Sequence, residues 1–146
     1  MAHKKYVAFV SEVNACRSII AEAYMKRHGI SHFESHSFAI KPNRIHYLVR
    51  EVLESRGFNL NHYFSKAYEV IQNQPIDILV LMSEDLKDNL PVGDRQLEII
   101  TWNFEDPTRK ALSESEMRAE IEKLCDQIEQ QVKQFVEQHK VAPVTS

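Results

Sequence analysis

The sequence predicts an α/β fold: a single domain in three layers, α/β/α, built on a four-stranded parallel sheet. Two short apolar runs, residues 6–10 and 76–82, read as strands covered on both faces rather than half-solvated ones. Between and after such runs lie segments whose apolar residues recur every three or four positions, the spacing of one helix face. Strands and helices therefore alternate, which favours parallel pairing with crossover helices above and below the sheet. In that architecture a ligand sits beyond the carboxyl ends of the strands, near a topological switch point.

Taken in order, the first strand is expected at residues 6–10. A helix follows with Cys16, Ile19, Ile20, Ala23 and Tyr24 on one side, and Gly29 as its cap. Residues 33–40 read as a second strand, polar enough to lie at an edge. Pro42 and Asn43 are placed to open a second helix with the stripe Ile45, Leu48, Val49, Val52 and Leu53, ended by Gly57. Ser65 suits the cap of a third, short helix through Ile71. After Pro75 comes the strongest strand, 76–82, then a brief helix following Ser83 that Pro91 and Gly93 stop. Residues 97–102 form a fourth strand, and Asp106-Pro107 marks a loop. Ser113 with Glu116 makes a capping box for the last helix, whose stripe is Met117, Ile121, Leu124, Ile128, Val132 and Phe135. The domain is expected to occupy residues 1–140, with 141–146 a disordered tail.

A chain of 146 residues is long enough for one substantial core. At 43% hydrophobic and 27% charged it has the composition of a soluble globular protein, and a net charge of −3 argues against nucleic acid or a membrane surface as partner. No apolar run reaches membrane-spanning length, and the first residues do not resemble a signal peptide. Two cysteines, Cys16 and Cys125, make no disulfide framework, so a reducing, cytoplasmic setting is expected. His32 and His36 are four apart, but no cysteine or carboxylate pattern completes a metal site; neither metal nor cofactor is expected.

The junction after the first strand carries the chemistry. It reads Ser11-Glu12-Val13-Asn14-Ala15-Cys16-Arg17-Ser18, a tight loop that opens a helix. Such a junction gathers free backbone N–H groups and the positive end of a helix dipole around one point, a natural seat for an anion. Arg17 can add a two-pronged grip on phosphate. An ordinary strand-to-helix turn with a surface arginine fits the same spacing. Loop 11–18 and the loop bearing Asp106 both follow strand ends, so they can meet on one rim.

These residues also resemble the signature loop of the low-molecular-weight protein tyrosine phosphatases and the related thioredoxin-coupled arsenate reductases. There the loop runs Cys-x5-Arg-Ser and is followed by Ala-Glu-Ala, as Arg17-Ser18 is followed here by residues 21–23. The likeness extends along nearly the whole chain. Ser37-Phe38-Ala39-Ile40 is similar to the family's Ser-Ala-Gly-Ile. Gly57-Phe58-Asn59-Leu60 with His62 and Ser65-Lys66 resembles its Gly-Ile-Asp…His…Ser-Lys stretch, and Asp77 with its strand resembles Asp-Val-Val-Val. Trp102-Asn103-Phe104-Glu105-Asp106-Pro107 is similar to the Trp-x-Phe-x-Asp-Pro of the reductase branch. The resemblance implies a phosphatase-like fold and an anion cradle made by Glu12, Val13, Asn14, Ala15, Cys16, Arg17 and Ser18. It assigns Arg17 to the phosphoryl oxygens and Asp106 to protonation of the leaving group, with Asn14, Ser18 and Ser37 supporting the loop through side-chain hydrogen bonds. Asp106 also suits a plain turn, and Ser18 a plain helix start.

The family's nucleophile position falls on Ser11, where the sulfur is missing. A thiolate attacks phosphorus because its pKa can be driven below neutral; a hydroxyl is far less acidic and needs an adjacent base. Glu12 is expected to repel a dianion, and Val13 and Ala39 stand where the family has glycine, which restricts close backbone approach. One designed exchange of cysteine for serine would not also produce these departures, so natural loss is favoured. Arsenate reduction needs a relay of thiols, and the matching positions hold Ser83 and Leu90; Cys125 reads as core. Cys16 is a small buried residue more readily than a replacement nucleophile.

The expected function is therefore to bind phosphate, sulfate or a phosphorylated side chain at loop 11–18 without turnover, as a pseudophosphatase. One alternative is an active phosphomonoesterase of the protein tyrosine phosphatase type, using Ser11, Cys16 or a natively cysteine position 11. Another is an interaction module whose pocket is filled by Glu12 and Val13. The residues name no protein partner.

Overall fold

The strand β1 (Lys5–Ser11) carries the register of the sheet, with β2 (Phe33–Ala39) on one side and β3 (Ile78–Leu81) on the other; β4 (Glu98–Thr101) pairs with β3. All three pairings are parallel. The helices are α1 (Arg17–His28), α2 (Tyr47–Ser55) and α3 (Glu114–His139), and short 3-10 turns lie at Tyr68–Val70, Glu84–Asn89 and Pro107–Arg109. The computed structural model describes residues 4–13, 16–93 and 95–139. The tail expected at 141–146 lies outside them. Among the described residues no helix is long and apolar enough to cross a membrane.

The pleat of β1 sorts its side chains into two cores. Val7 and Phe9 face a cluster with Ile19 and Tyr24 of α1, Leu48 and Val52 of α2, and Ile121, Ile128 and Val132 of α3. Ala8 and Val10 face the other way, onto Phe38, Tyr68, Leu79, Leu81 and Leu86. The sheet is thus covered on both faces, as the apolar runs predict. The long helices take one face, whereas short 3-10 turns and loops cover the other. The edge position expected for the second strand is where β2 lies.

Two local expectations are corrected. Pro42 and Asn43 do not open α2; they belong to the preceding loop, and His46 caps the helix, its Nδ1 accepting from the Leu48 N–H at 3.2 Å. The Asn43 N–H is donated to Val13 O of loop 11–18. Ser65 caps no helix, since the segment after it reaches only the 3-10 turn Tyr68–Val70. Gly29 does end α1, but with φ −120° it needs no left-handed freedom. A Cβ there would lie 2.7 Å from Met25 Sδ and 3.0 Å from Val136 Cγ2, so what Gly29 supplies is close contact with the buried side chains of α1 and α3.

The capping box forms as expected: Ser113 Oγ accepts from the Glu116 N–H at 3.2 Å, and the Ser113 N–H donates to Glu116 Oε1 at 3.3 Å. Ser113→Ala is expected to lower unfolding stability in urea by about 1 kcal/mol, with Ser113→Asp retaining most of it. Equal stability of the Ala variant would show that the box contributes nothing to α3.

Candidate functional site

The strand order β2-β1-β3-β4 puts a switch point at β1, because the chain leaves it toward β2 and returns beyond it as β3. Loop 11–18 departs from the carboxyl end of that strand. Ser11 is its last residue, 2% exposed, and its Oγ lies 2.7 Å from Ser18 Oγ at the start of α1.

The carbonyls of residues 11–13 are taken up by other segments. Ser11 O accepts from the Ile40 N–H at 3.3 Å and Glu12 O from the Lys41 N–H at 2.7 Å. Val13 O accepts from the Asn43 N–H at 3.3 Å and from Ser65 Oγ at 2.8 Å. These bonds fasten residues 11–13 to the segments 40–43 and Ser65. Asn14 and Ala15 lie outside the described residues.

Arg17 opens α1 and is 5% exposed. Its Nη1 donates to the Phe104 carbonyl at 2.9 Å, which ties loop 11–18 to the loop carrying Asp106. Its Nε is buried without a hydrogen-bond partner among the described residues. Leaving a buried donor unsatisfied costs about 1–3 kcal/mol, more for a charged group, so such a group calls for an acceptor. A forked, permanently charged donor beside a helix N-terminus fits an oxyanion.

Asp106 lies on the same rim and fills the turn role expected of it. Its Oδ1 accepts from the Thr108 N–H at 2.9 Å and from Thr108 Oγ1 at 2.6 Å, capping the turn Pro107–Arg109. It also faces Cys16, whose thiol is raised well above its ordinary value by burial and, next, by the Asp106 carboxylate, with Arg17 opposing. Cys125 is buried as well, and desolvation pushes its thiol up to about 12. Neither thiol has the environment of a thiolate nucleophile.

Two residues do something other than the sequence suggests. The Glu12 carboxylate, expected to repel a dianion, accepts from Arg109 Nη1 at 2.6 Å. With side chains 28% and 53% exposed the pair adds at most about 1 kcal/mol of stability, but it cancels a charge at the mouth of the loop. Ser37, expected to support the loop, donates instead to Glu22 Oε1. Glu22 is 5% exposed and also accepts from Lys26 Nζ at 2.8 Å, with Lys66 Nζ 3.8 Å away. Burial lowers the Lys66 ammonium below its ordinary value while Glu22 pulls it back.

Direct side-chain support of the loop comes from Ser65, which sequence reading spends on a helix cap. Its signal lay in the family-like Ser65-Lys66 pair, and the Ala-Glu-Ala stretch likewise contains Glu22. Arg109 had no signal beyond its place just after Asp106-Pro107. A cleft of about 150 Å³, lined by Glu12, Ile40, Lys41, Asp85 and Leu86, opens beside the loop. Among the described residues no group of three or more His, Cys, Asp or Glu side chains is placed to hold a metal ion.

The model of the family described as low molecular weight phosphotyrosine protein phosphatase matches residues 6–142. An arsenate reductase of Bacillus licheniformis is 23% identical over 134 residues, 92% of this chain and 96% of that protein. The low molecular weight protein tyrosine phosphatase from T. tengcongensis is similar in structure with a TM-score of 0.76 at 18% identity, over 92% of this chain and 99% of that one. YwlE arginine phosphatase, in a cysteine-to-serine mutant with a phosphorylated active site serine, gives a TM-score of 0.72 at 19% identity, over 94% and 97%. At such identities the structural likenesses show a shared fold.

Burial of both thiols has a direct chemical readout. Iodoacetamide at pH 8 is expected to leave Cys16 and Cys125 unmodified in the folded protein and to alkylate both after denaturation, as followed by intact mass. Rapid labelling of Cys16 in the folded state would contradict the geometry.

Proposed function

Because the chain belongs to the low molecular weight phosphotyrosine protein phosphatase family, we propose that loop 11–18 holds a phosphoryl group or a similar oxyanion and does not turn it over. The observation that carries this reading is Arg17: one arm anchored on Phe104 O, and a buried Nε with no partner among the described residues. An oxyanion in the loop would accept from Nε and from backbone N–H groups at the start of α1. Pairing of Glu12 with Arg109 removes the repulsion that a free carboxylate would exert there. The ligand class is inorganic phosphate, sulfate or a phosphorylated side chain, in a cytoplasmic setting.

The groups at hand support an absence of turnover. Ser11 offers a hydroxyl, far less acidic than a thiol, at the position of the family's nucleophile. Cys16 is held as a neutral thiol. Arsenate reduction has no thiol route, because Ser83 and Leu90 stand where a relay would need cysteines.

A second reading has one specific observation in its favour, the phosphorylated active site serine of the YwlE mutant. On this reading Ser11 Oγ forms the new P–O bond while the bond from phosphorus to the leaving oxygen breaks. A proton from Asp106 goes to that oxygen, and the Ser11 hydroxyl proton passes through a phosphoryl oxygen to replace it. The product is phosphoserine at position 11, formed once per chain.

The two readings separate on p-nitrophenyl phosphate. The proposal expects no continuous release of p-nitrophenol, no mass gain of one phosphoryl group, and a melting temperature raised by phosphate or sulfate. The shift is expected to vanish in Arg17→Lys, which keeps the charge and loses the fork. Ser11→Cys is expected to gain hydrolysis. Turnover by the unaltered chain that disappears in Asp106→Asn would overturn the proposal. A stoichiometric phosphoryl adduct on Ser11 would favour the second reading, and no response to either anion would leave an interaction module with a filled pocket.

A further inference from the structure

A second cleft, of about 500 Å³, lies between residues 42–45 with Arg50 of α2 on one side and residues 63–65 on the other. Its two walls converge on the anion loop: the Asn43 N–H and Ser65 Oγ both donate to Val13 O, and the Asn43 N–H also donates to Ser65 Oγ at 2.9 Å. The cleft therefore begins where loop 11–18 is held.

Its charge is one-sided. Arg44 and Arg50 line it, and no carboxylate does. Every other arginine among the described residues has its guanidinium engaged: Arg17 and Arg27 on carbonyls, Arg56 on Glu122 and Asp126, Arg95 on Tyr68, Arg109 on Glu12, and Arg118 on Glu51. The guanidiniums of Arg44 and Arg50 have no hydrogen bond or ion pair among the described residues. An aromatic wall accompanies them. Phe64 is 52% exposed, and Tyr63 is half-buried beside it. Lys66 Nζ stands 4.8 Å from the Phe64 ring centroid and Lys26 Nζ 4.8 Å from that of Tyr63, the same two lysines that flank Glu22.

Resting on the reading of loop 11–18 as a phosphoryl holder, we propose that this cleft takes the acidic stretch of a protein partner on which the phosphorylated side chain is carried. Carboxylates flanking that side chain would pair with Arg44 and Arg50, and apolar groups between them would lie on Phe64 and Tyr63. Charge complementarity selects this occupant, and the bonds of Asn43 and Ser65 to Val13 O set the cleft next to loop 11–18. A nucleic acid is disfavoured by a chain of net charge −3 whose unpaired arginines are confined to one short cleft.

The test uses the full chain, fluorescence anisotropy and four labelled peptides: phosphotyrosine flanked on both sides by glutamates or by alanines, and the unphosphorylated form of each. The glutamate-flanked phosphopeptide is expected to bind about 3- to 10-fold more tightly than its alanine counterpart, with the difference shrinking at high salt. Combining Arg44→Ala with Arg50→Ala is expected to erase that ratio while leaving the melting shift caused by inorganic phosphate intact. A ratio near one in the unaltered chain, or one that survives the double variant, overturns the proposal. A single-stranded RNA that binds more tightly through the same two arginines also overturns it. If phosphate causes no melting shift and phosphorylation adds nothing to peptide binding, the reading of the loop fails. In that case a preference for glutamate that depends on Arg44 and Arg50 still supports the cleft.

Discussion

The rim of this molecule depends on one guanidinium. Arg17 starts α1 at the end of the loop that leaves β1, and its side chain reaches the carbonyl of Phe104, just before Asp106. That bond joins segments 87 residues apart and ties the two loops together. Burying a cation is unfavourable unless it is hydrogen-bonded, and a guanidinium remains charged at any pH the fold survives. One arm is satisfied by the fold itself. The orphaned Nε then makes the site a place of unspent donor capacity.

The surroundings of the loop show how a divergent sequence keeps such a rim. Glu12 and Arg109 neutralise each other across the mouth, so an acid where a dianion would enter does not by itself close the site. Behind the loop, Glu22 is tolerated in the interior because Ser37, Lys26 and Lys66 surround it. Removing any one partner would leave a buried charge less compensated, which is far more costly than the pairing is stabilising. Cys16 has been absorbed into the core beside Asp106, where a neutral thiol is favoured. The Cys16 thiol thus lacks the surroundings of a thiolate nucleophile.

Much of the fold was legible because its signals are local. The capping box at Ser113 and Glu116 needs only a spacing of three, and the stripe of α3 needs only a helical period. Apolar runs marked β1 and β3, and the polar content of β2 marked an edge. The errors arose where a residue's partner is distant in sequence. Asn43 and Pro42 look like a helix start, yet Asn43 is claimed by Val13; Ser65 looks like a cap, yet its hydroxyl holds the same carbonyl. Ser37 was assigned to the loop by resemblance, but Glu22 is a stronger acceptor at closer range. Arg17 and Asp106 were identified as a pair across the chain by resemblance, and the fold brings their loops together. Arg109 carried no pattern that periodicity or resemblance picks out.

The sharpest test of this account is the Nε–H signal of Arg17 in a proton–nitrogen correlation spectrum, assigned by its loss in Arg17→Lys. A buried, charge-bearing Nε–H that becomes the donor to a bound oxyanion is expected to shift downfield and to saturate as phosphate is titrated. If that resonance stays in place at phosphate concentrations that saturate every other response of the protein, Arg17 is not the anion's ligand and the account of the loop is contradicted.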